Sequence, residues 1–179
     1  MTRFAYGTMR RRAAQCAALL SAVALAGCMT AEKPPEQPSF YNSMASAEAQ
    51  VDAAAAASMI SGYRSNNGLG GVTIDPQLMR IAETQARAMA AHDKVERSAG
   101  SAAAARLKRS GYGATAAAEN MSAGYHTLAE AFSGWRDSPP HRATMLLPAA
   151  TRMGIAAAYA PGSKYKVFWT LILARPEQG

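Results

Sequence analysis

The run Tyr165-Lys166-Val167-Phe168-Trp169-Thr170-Leu171-Ile172-Leu173-Ala174 is largely apolar on both of its alternating sets: Tyr165, Val167, Trp169, Leu171 and Leu173 on one, and Phe168, Thr170, Ile172 and Ala174 on the other. Successive side chains of a strand point to opposite faces, so a strand of this composition is covered on both. Ala160-Pro161-Gly162-Ser163-Lys164 stands before it as a hairpin connection, and Arg152 to Tyr159 supplies the partner strand. The segments upstream carry helical periodicity. Helices followed by a hairpin buried on two sides predict an α+β domain, with an antiparallel sheet held between two helical layers.

Back along the chain, Ser138-Pro139 starts a short helix holding His141, Met145 and Leu146. Thr127-Leu128-Ala129-Glu130 fits a capping box ahead of a helix carrying Ala131, Phe132 and Trp135. Asp75-Pro76 gives an N-cap acceptor and a proline at the first helical position, after which Leu78, Ile81, Ala82, Gln85, Ala86 and Met89 form one stripe to about His92. A shorter helix is expected from Ser101 to a stop at Gly111, and an alanine-rich first helix over Ala45 to Tyr63. Trp135 and Trp169 fall on apolar stripes and read as core. Arg106, Lys108 and Arg109 read as a solvated helix face able to touch anionic polymers.

The N-terminus has another character. Arg3, Arg10, Arg11 and Arg12 precede an uncharged stretch, Ala13 to Gly27, with Leu19, Leu20, Val23 and Leu25 among alanines. It is shorter than the roughly 20 apolar residues of a membrane span, and reads as a cleaved export signal over residues 1–27. Cys16 leaves with that signal, so Cys28 is the one thiol of the mature chain, which forms no internal disulfide. Leu25-Ala26-Gly27-Cys28 resembles a bacterial lipobox, whose Cys is acylated after cleavage, so lipid attachment is expected at Cys28. The expected location is the cell envelope, and the outer membrane in a two-membrane organism, because Met29 rather than Asp follows the Cys. Residues 28–44, with Pro34, Pro35 and Pro38, read as a semi-rigid tether, and 45–176 as the domain.

The whole chain carries 19 Lys and Arg against 12 Asp and Glu, a net +7. Removing the signal deletes four arginines and leaves +3. The acidic residues Glu32, Glu36, Glu48 and Asp52 cluster ahead of the domain, whose own balance over 58–176 is 14 basic against seven acidic residues. A basic globule on an acidic lead suits anionic envelope material as a neighbour. No nucleic-acid partner is expected, since an exported chain rarely meets DNA and the basic residues do not alternate with aromatics.

Taken in order, Leu78…Ala82…Ala86…Met89-Ala90, Arg106-Leu107…Gly111-Tyr112, Ala118-Glu119-Asn120-Met121…Gly124, Trp135…Ser138-Pro139-Pro140-His141-Arg142…Met145-Leu146 and Arg152-Met153-Gly154-Ile155-Ala156 resemble a bacterial CAP domain. That superfamily holds the cysteine-rich secretory, antigen-five and pathogenesis-related proteins. The resemblance covers roughly residues 56–175 and implies a three-layer α-β-α sandwich with a groove commonly lined by two His and two Glu, which in some members bind a divalent metal. Glu119 and His141 match one of each. Arg97 stands where the other His is expected, and Ser138 where the other Glu is expected.

Two of four family ligands fall short of a zinc set, so no cofactor is firmly implied; a weakly held divalent metal would use His141, Glu119 and His126. Arg97, if it faces the groove, would pair with Glu119. Asn120 reads as structural, an amide beside a turn. Two functions stay open. One is a non-catalytic binding or structural module whose groove takes lipid, peptide or glycan, with peptidoglycan or another anionic envelope polymer as partner and a membrane held through acyl chains. The other is a weak metal-assisted peptidase or cell-wall hydrolase using Glu119 and His141. No Ser/His/Asp or Cys/His constellation and no G-x-S-x-G elbow is visible.

Overall fold

The computed structural model describes residues 36–96 and 102–177. From Gln37 onward the chain forms one compact unit. The elements are α1 (Ala53–Ser65), β1 (Thr73–Ile74), α2 (Pro76–His92), α3 (Ala102–Arg109), β2 (Ala114–Ala123), α4 (Leu128–Asp137), α5 (Pro139–Met145), β3 (Arg152–Tyr159) and β4 (Val167–Pro176). No described helix is long and apolar enough to cross a membrane.

Local chemistry sets the helix ends. The Asp75 carboxylate accepts from the N–H groups of Gln77 and Leu78, and Pro76 opens the helix, as the sequence predicts. α2 closes on Asp93, a non-glycine residue in the left-handed region at φ 47°. Thr127 caps α4 by accepting from Glu130 N–H at 3.2 Å. The Glu130 carboxylate reaches one residue further back than a capping box requires and takes the His126 N–H at 2.6 Å. The first helix begins at Ala53 rather than Ala45: Asp52 accepts from Ala55 N–H, and a carboxylate in that place is a start signal that alanine content alone does not give. Ahead of it, Phe40 and Met44 pack on the core.

The sheet has the order β1-β3-β4-β2. β3 and β4 form the expected hairpin, antiparallel from Arg152↔Ala174 to Tyr159↔Val167. β4 starts two residues later than its apolar run, because Lys166 sits at φ 63° and belongs to the turn. β2 pairs antiparallel with the other side of β4. The three long strands match the antiparallel sheet expected, but β1 adds a short parallel pairing, Thr73↔Arg152 and Ile74↔Met153, so the whole sheet is mixed.

All residues of β4 from Val167 to Ala174 are buried, as a strand apolar on both faces requires. On one face Leu171, Leu173, Trp169, Met153 and Ile155 meet Ile60 of α1 and Trp135 of α4. The indoles of Trp135 and Trp169 pack edge to face, 6.2 Å apart at 85°. On the other face Ile172, Ala174, Ala156 and Ala158 meet Leu78, Ile81 and Ala82 of α2 and Leu107 of α3. This is the three-layer arrangement. Gly154 permits the close crossing of α2, since a Cβ there would collide with the backbone of Leu78.

Arg64, at the end of α1, is fully buried, and no salt bridge joins it to a carboxylate among the described residues. Its guanidinium donates to four carbonyls: Gly70 at 2.7 Å, Met145 at 2.9 Å, Leu147 at 2.8 Å and Ala150 at 3.1 Å. Burial pulls its pKa down from the ordinary arginine value. The carbonyls of Met145, Leu147 and Ala150 belong to the end of α5 and the turn after it, which have run out of helical donors, while that of Gly70 lies in the loop after α1. Arg64 therefore fixes the helix that carries His141.

Candidate functional site

A groove of about 680 Å³ opens between the segment that follows α2, the strand β2, and α5. Asp93 to Glu96 form one wall, Glu119 to Ser122 the floor, and Pro140, His141 and Thr144 the other wall, with Tyr165 at one end. The strand alternates. Glu119 and Met121 face the α2 layer, while Asn120 and Ser122 face the α4 layer, so the groove straddles the outer strand of the sheet.

The Glu119 side chain is 1% exposed and meets the Arg106 guanidinium at 3.3 Å. Arg106 also donates to Gln85 Oε1 at 2.7 Å and to Glu96 Oε2 at 3.2 Å. Gln85 Nε2 completes the circuit by donating to Glu96 at 3.0 Å. The Gln85 amide and then the Arg106 guanidinium hold the Glu96 carboxyl below its usual pKa. Arg106 is thus not the solvated cation its sequence neighbours indicated. It lies on the inward side of α3 with Ala103 and Leu107, and the spacing 103, 106, 107 is the signal that places it there.

Asn120 is fully buried, and its Nδ2 donates to the main-chain oxygen of His141 at 3.0 Å. It lies within the strand rather than beside a turn, and it serves the site directly by tying β2 to α5. The Trp135 indole N–H donates to Ser122 Oγ at 3.0 Å, anchoring α4 to the next residue on the same face of the strand. The His141 imidazole is half-buried, and desolvation lowers its pKa from 6.5, so it is neutral at pH 7.

The structure thus brings Glu119, Asn120 and His141 together. His126 is exposed and does not line the groove; its backbone serves Met44 and Glu130 instead. Arg97 and Cys28 lie outside the described residues, and among the described ones Arg106 pairs with Glu119. Gln85, Glu96, Thr144 and Tyr165 join the site from outside the motif residues. A polar Gln85 in an otherwise apolar helical stripe was the visible sign of an inward polar contact.

Among the described residues the Glu119–His141 pair falls short of a zinc set, which takes three or four ligands. Glu119 and His141 are two, and Arg106 brings a positive charge against the carboxylate. Among the described residues no group of three or more His, Cys, Asp or Glu side chains gathers for a metal. What the groove offers is a row of hydrogen-bonding groups of mixed charge with one aromatic ring.

Comparison with known proteins agrees with the fold. The model of the CAP, cysteine-rich secretory protein family matches residues 57–173. No curated protein matches the sequence. Among solved structures, an extracellular protein with an SCP domain from Bacillus anthracis is 24% identical with a TM-score of 0.55, covering 68% of this chain and 39% of its own. An outer surface protein of Borrelia burgdorferi is 15% identical with a TM-score of 0.60, covering 72% and 98%. A cysteine-rich secretory protein of Staphylococcus aureus is 16% identical with a TM-score of 0.55, covering 68% and 37%. The chain spans well under half of the Bacillus and Staphylococcus proteins, and at these identities the likeness is one of fold. With the ordered motifs, the layered fold and a family match over most of the domain in agreement, the chain belongs to the cysteine-rich secretory protein (CAP) family.

Proposed function

We propose that this protein is an exported, envelope-anchored binding module, held to a membrane by acyl chains on Cys28, whose groove takes a polar peptide or glycan fragment of envelope material. The observation that carries the reading is the Glu119–Arg106 pair at 3.3 Å on the groove floor. The Glu119 carboxylate lies in a charge-assisted contact with the Arg106 guanidinium. Such a pair serves to position hydrogen-bonding partners. His141, neutral at pH 7, supplies either an acceptor or a donor on the opposite wall.

The charged lining from Asp93 to Glu96 favours peptide and glycan over an acyl chain, which would strand those groups without water. Export is supported by the signal-like N-terminus, and the structural relatives are described as extracellular, outer surface and secretory proteins.

Two experiments test the reading. Cys28→Ala should move the protein from the membrane to the soluble fraction, and unchanged membrane association would refute the anchor. Soluble disaccharide-peptide fragments of cell wall should bind the purified protein, with His141→Ala and Glu119→Gln each weakening binding by about tenfold, the worth of a lost hydrogen bond to a charged or buried group. Preference for phospholipid vesicles would redirect the assignment to lipid. Hydrolysis of the fragments, lost in Glu119→Gln, would redirect it to catalysis.

A further inference from the structure

β3 has two edges, and only one is occupied along its length. Ala160 N–H donates to Lys166 O, and antiparallel ladders alternate, so Gly154, Ala156 and Ala158 spend their backbone groups on β4. The intervening Met153, Ile155, Ala157 and Tyr159 turn theirs to the outer edge. β1 covers the beginning of that edge, where Asp75 N–H donates to Met153 O at 2.9 Å. β1 then ends. The Ile155 N–H reaches only the thioether of Met79, at 3.2 Å, and the N–H and C=O groups of Ala157 and Tyr159 meet no protein partner among the described residues.

These groups open onto a slot of about 650 Å³ that runs past Ile155 to Tyr159. One wall is α2, which presents Arg80, Glu83 and Arg87 at helical spacing; Glu83 and Arg87 pair at 2.5 Å, leaving the wall with a net positive charge. The facing wall is the segment before α1, with Ala49 and Val51 partly buried against the core. Free edges are normally blocked by a charge, a proline or a covering element. Here the positions are Ala156, Ala157 and Ala158, whose small side chains let another backbone come close.

We propose that this slot is a second binding site, separate from the groove, which takes an extended peptide segment of another protein as an added strand on the outer edge of β3. Main-chain hydrogen bonds to Ala157 and Tyr159 would supply the pairing, and the walls the selectivity. Side chains of a strand alternate, so residues of one parity face Arg80 and Arg87 and those of the other face Ala49 and Val51. The preferred segment therefore alternates acidic and small apolar residues.

The probe is a blocked hexapeptide of alternating Asp and Val, titrated into the purified protein by calorimetry and by amide chemical-shift mapping. Binding is expected with shifts at Ala157 and Tyr159. N-methylation of alternate peptide amides should weaken it about tenfold or more, as should Arg80→Glu and replacement of Asp by Lys in the peptide. Ala157→Pro removes an outward N–H and leaves the β4 ladder intact, a change that edge strands accept. Should that variant fail to fold, the N-methylated peptide tests the same bond without touching the protein. Equal binding of the N-methylated peptide, no binding at millimolar concentration, shifts confined to Glu119 and His141, or occupation of the edge by a second copy of this chain in sedimentation experiments would each overturn the assignment.

Discussion

Asn120 Nδ2 donates to the main-chain oxygen of His141 at 3.0 Å, and this bond joins the outer strand β2 to the first turn of α5. The two residues carry one wall and the floor of the groove, so the site's width depends on an amide that never touches solvent. Asn120→Ala should cost about 1–3 kcal/mol, the penalty of leaving a partly buried carbonyl without its donor. Urea denaturation measures the loss, and the His141 ring resonances should shift in the same variant. Unchanged stability and an unmoved His141 would show that the bond is incidental.

Arg64 works at the other end of the same helix. Arg64→Met keeps much of the packing volume but removes all four donations to Gly70, Met145, Leu147 and Ala150. A loss on the order of 3 kcal/mol or more is expected, since several carbonyls become orphans together. Arg64→Lys restores the charge but not the planar fork, so it should recover only part of that stability.

The close crossing of α2 over the sheet has a sharp test. At Gly154 an added Cβ meets the Leu78 backbone, whereas at Gly162 it meets nothing within 4 Å. Gly154→Ala should destabilise the fold by about 3 kcal/mol or prevent folding, because backbone cannot give way as a side chain tip can. Gly162→Ala should stay within about 0.5 kcal/mol of the parent. Thermal denaturation of the pair measures the contrast.

Three long helices, the hairpin and the layer order were legible because their signals are local. Asp75-Pro76 caps α2 by itself, and the two-faced apolar run of β4 can only be a central strand. β2 carries no strand-like alternation in its sequence. Its sequence, Ala114 to Ala123, is half alanine, a poor strand former, and it is extended because β4 offers it a ladder from Ala116↔Arg175 to Ala123↔Phe168. β1 is two residues long and exists only through its pairing with Arg152 and Met153. The site divides in the same way. Glu119, Asn120 and His141 were found by motif, whereas the circuit of Arg106, Gln85 and Glu96 joins three segments whose proximity only the folded chain creates.

Tyr112 gives the stability a dependence on alkaline pH. Its hydroxyl donates to Asp75 Oδ2 at 3.0 Å; burial first, then that bond and the carboxylate's charge, push its pKa up to about 12. The folded state therefore holds this proton more tightly than the unfolded state, whose Tyr titrates near 10. The contribution is fully present below pH 10 and is lost as pH rises from 10 to 12. Tyr112→Phe should be less stable at pH 8, by about 1 kcal/mol for the hydrogen bond, and should show a shallower decline across that window. An equal decline in both proteins would place the alkaline sensitivity elsewhere.

The most direct measurement of the groove's role is an amide and side-chain chemical-shift titration of the purified protein with disaccharide-peptide fragments of cell wall. Saturable shifts confined to Asn120, Met121, His141 and Thr144, and weakened about tenfold in His141→Ala, are the expected result. Absence of saturable shifts in the groove for these fragments, or shifts that persist unchanged in His141→Ala and Glu119→Gln, would contradict it.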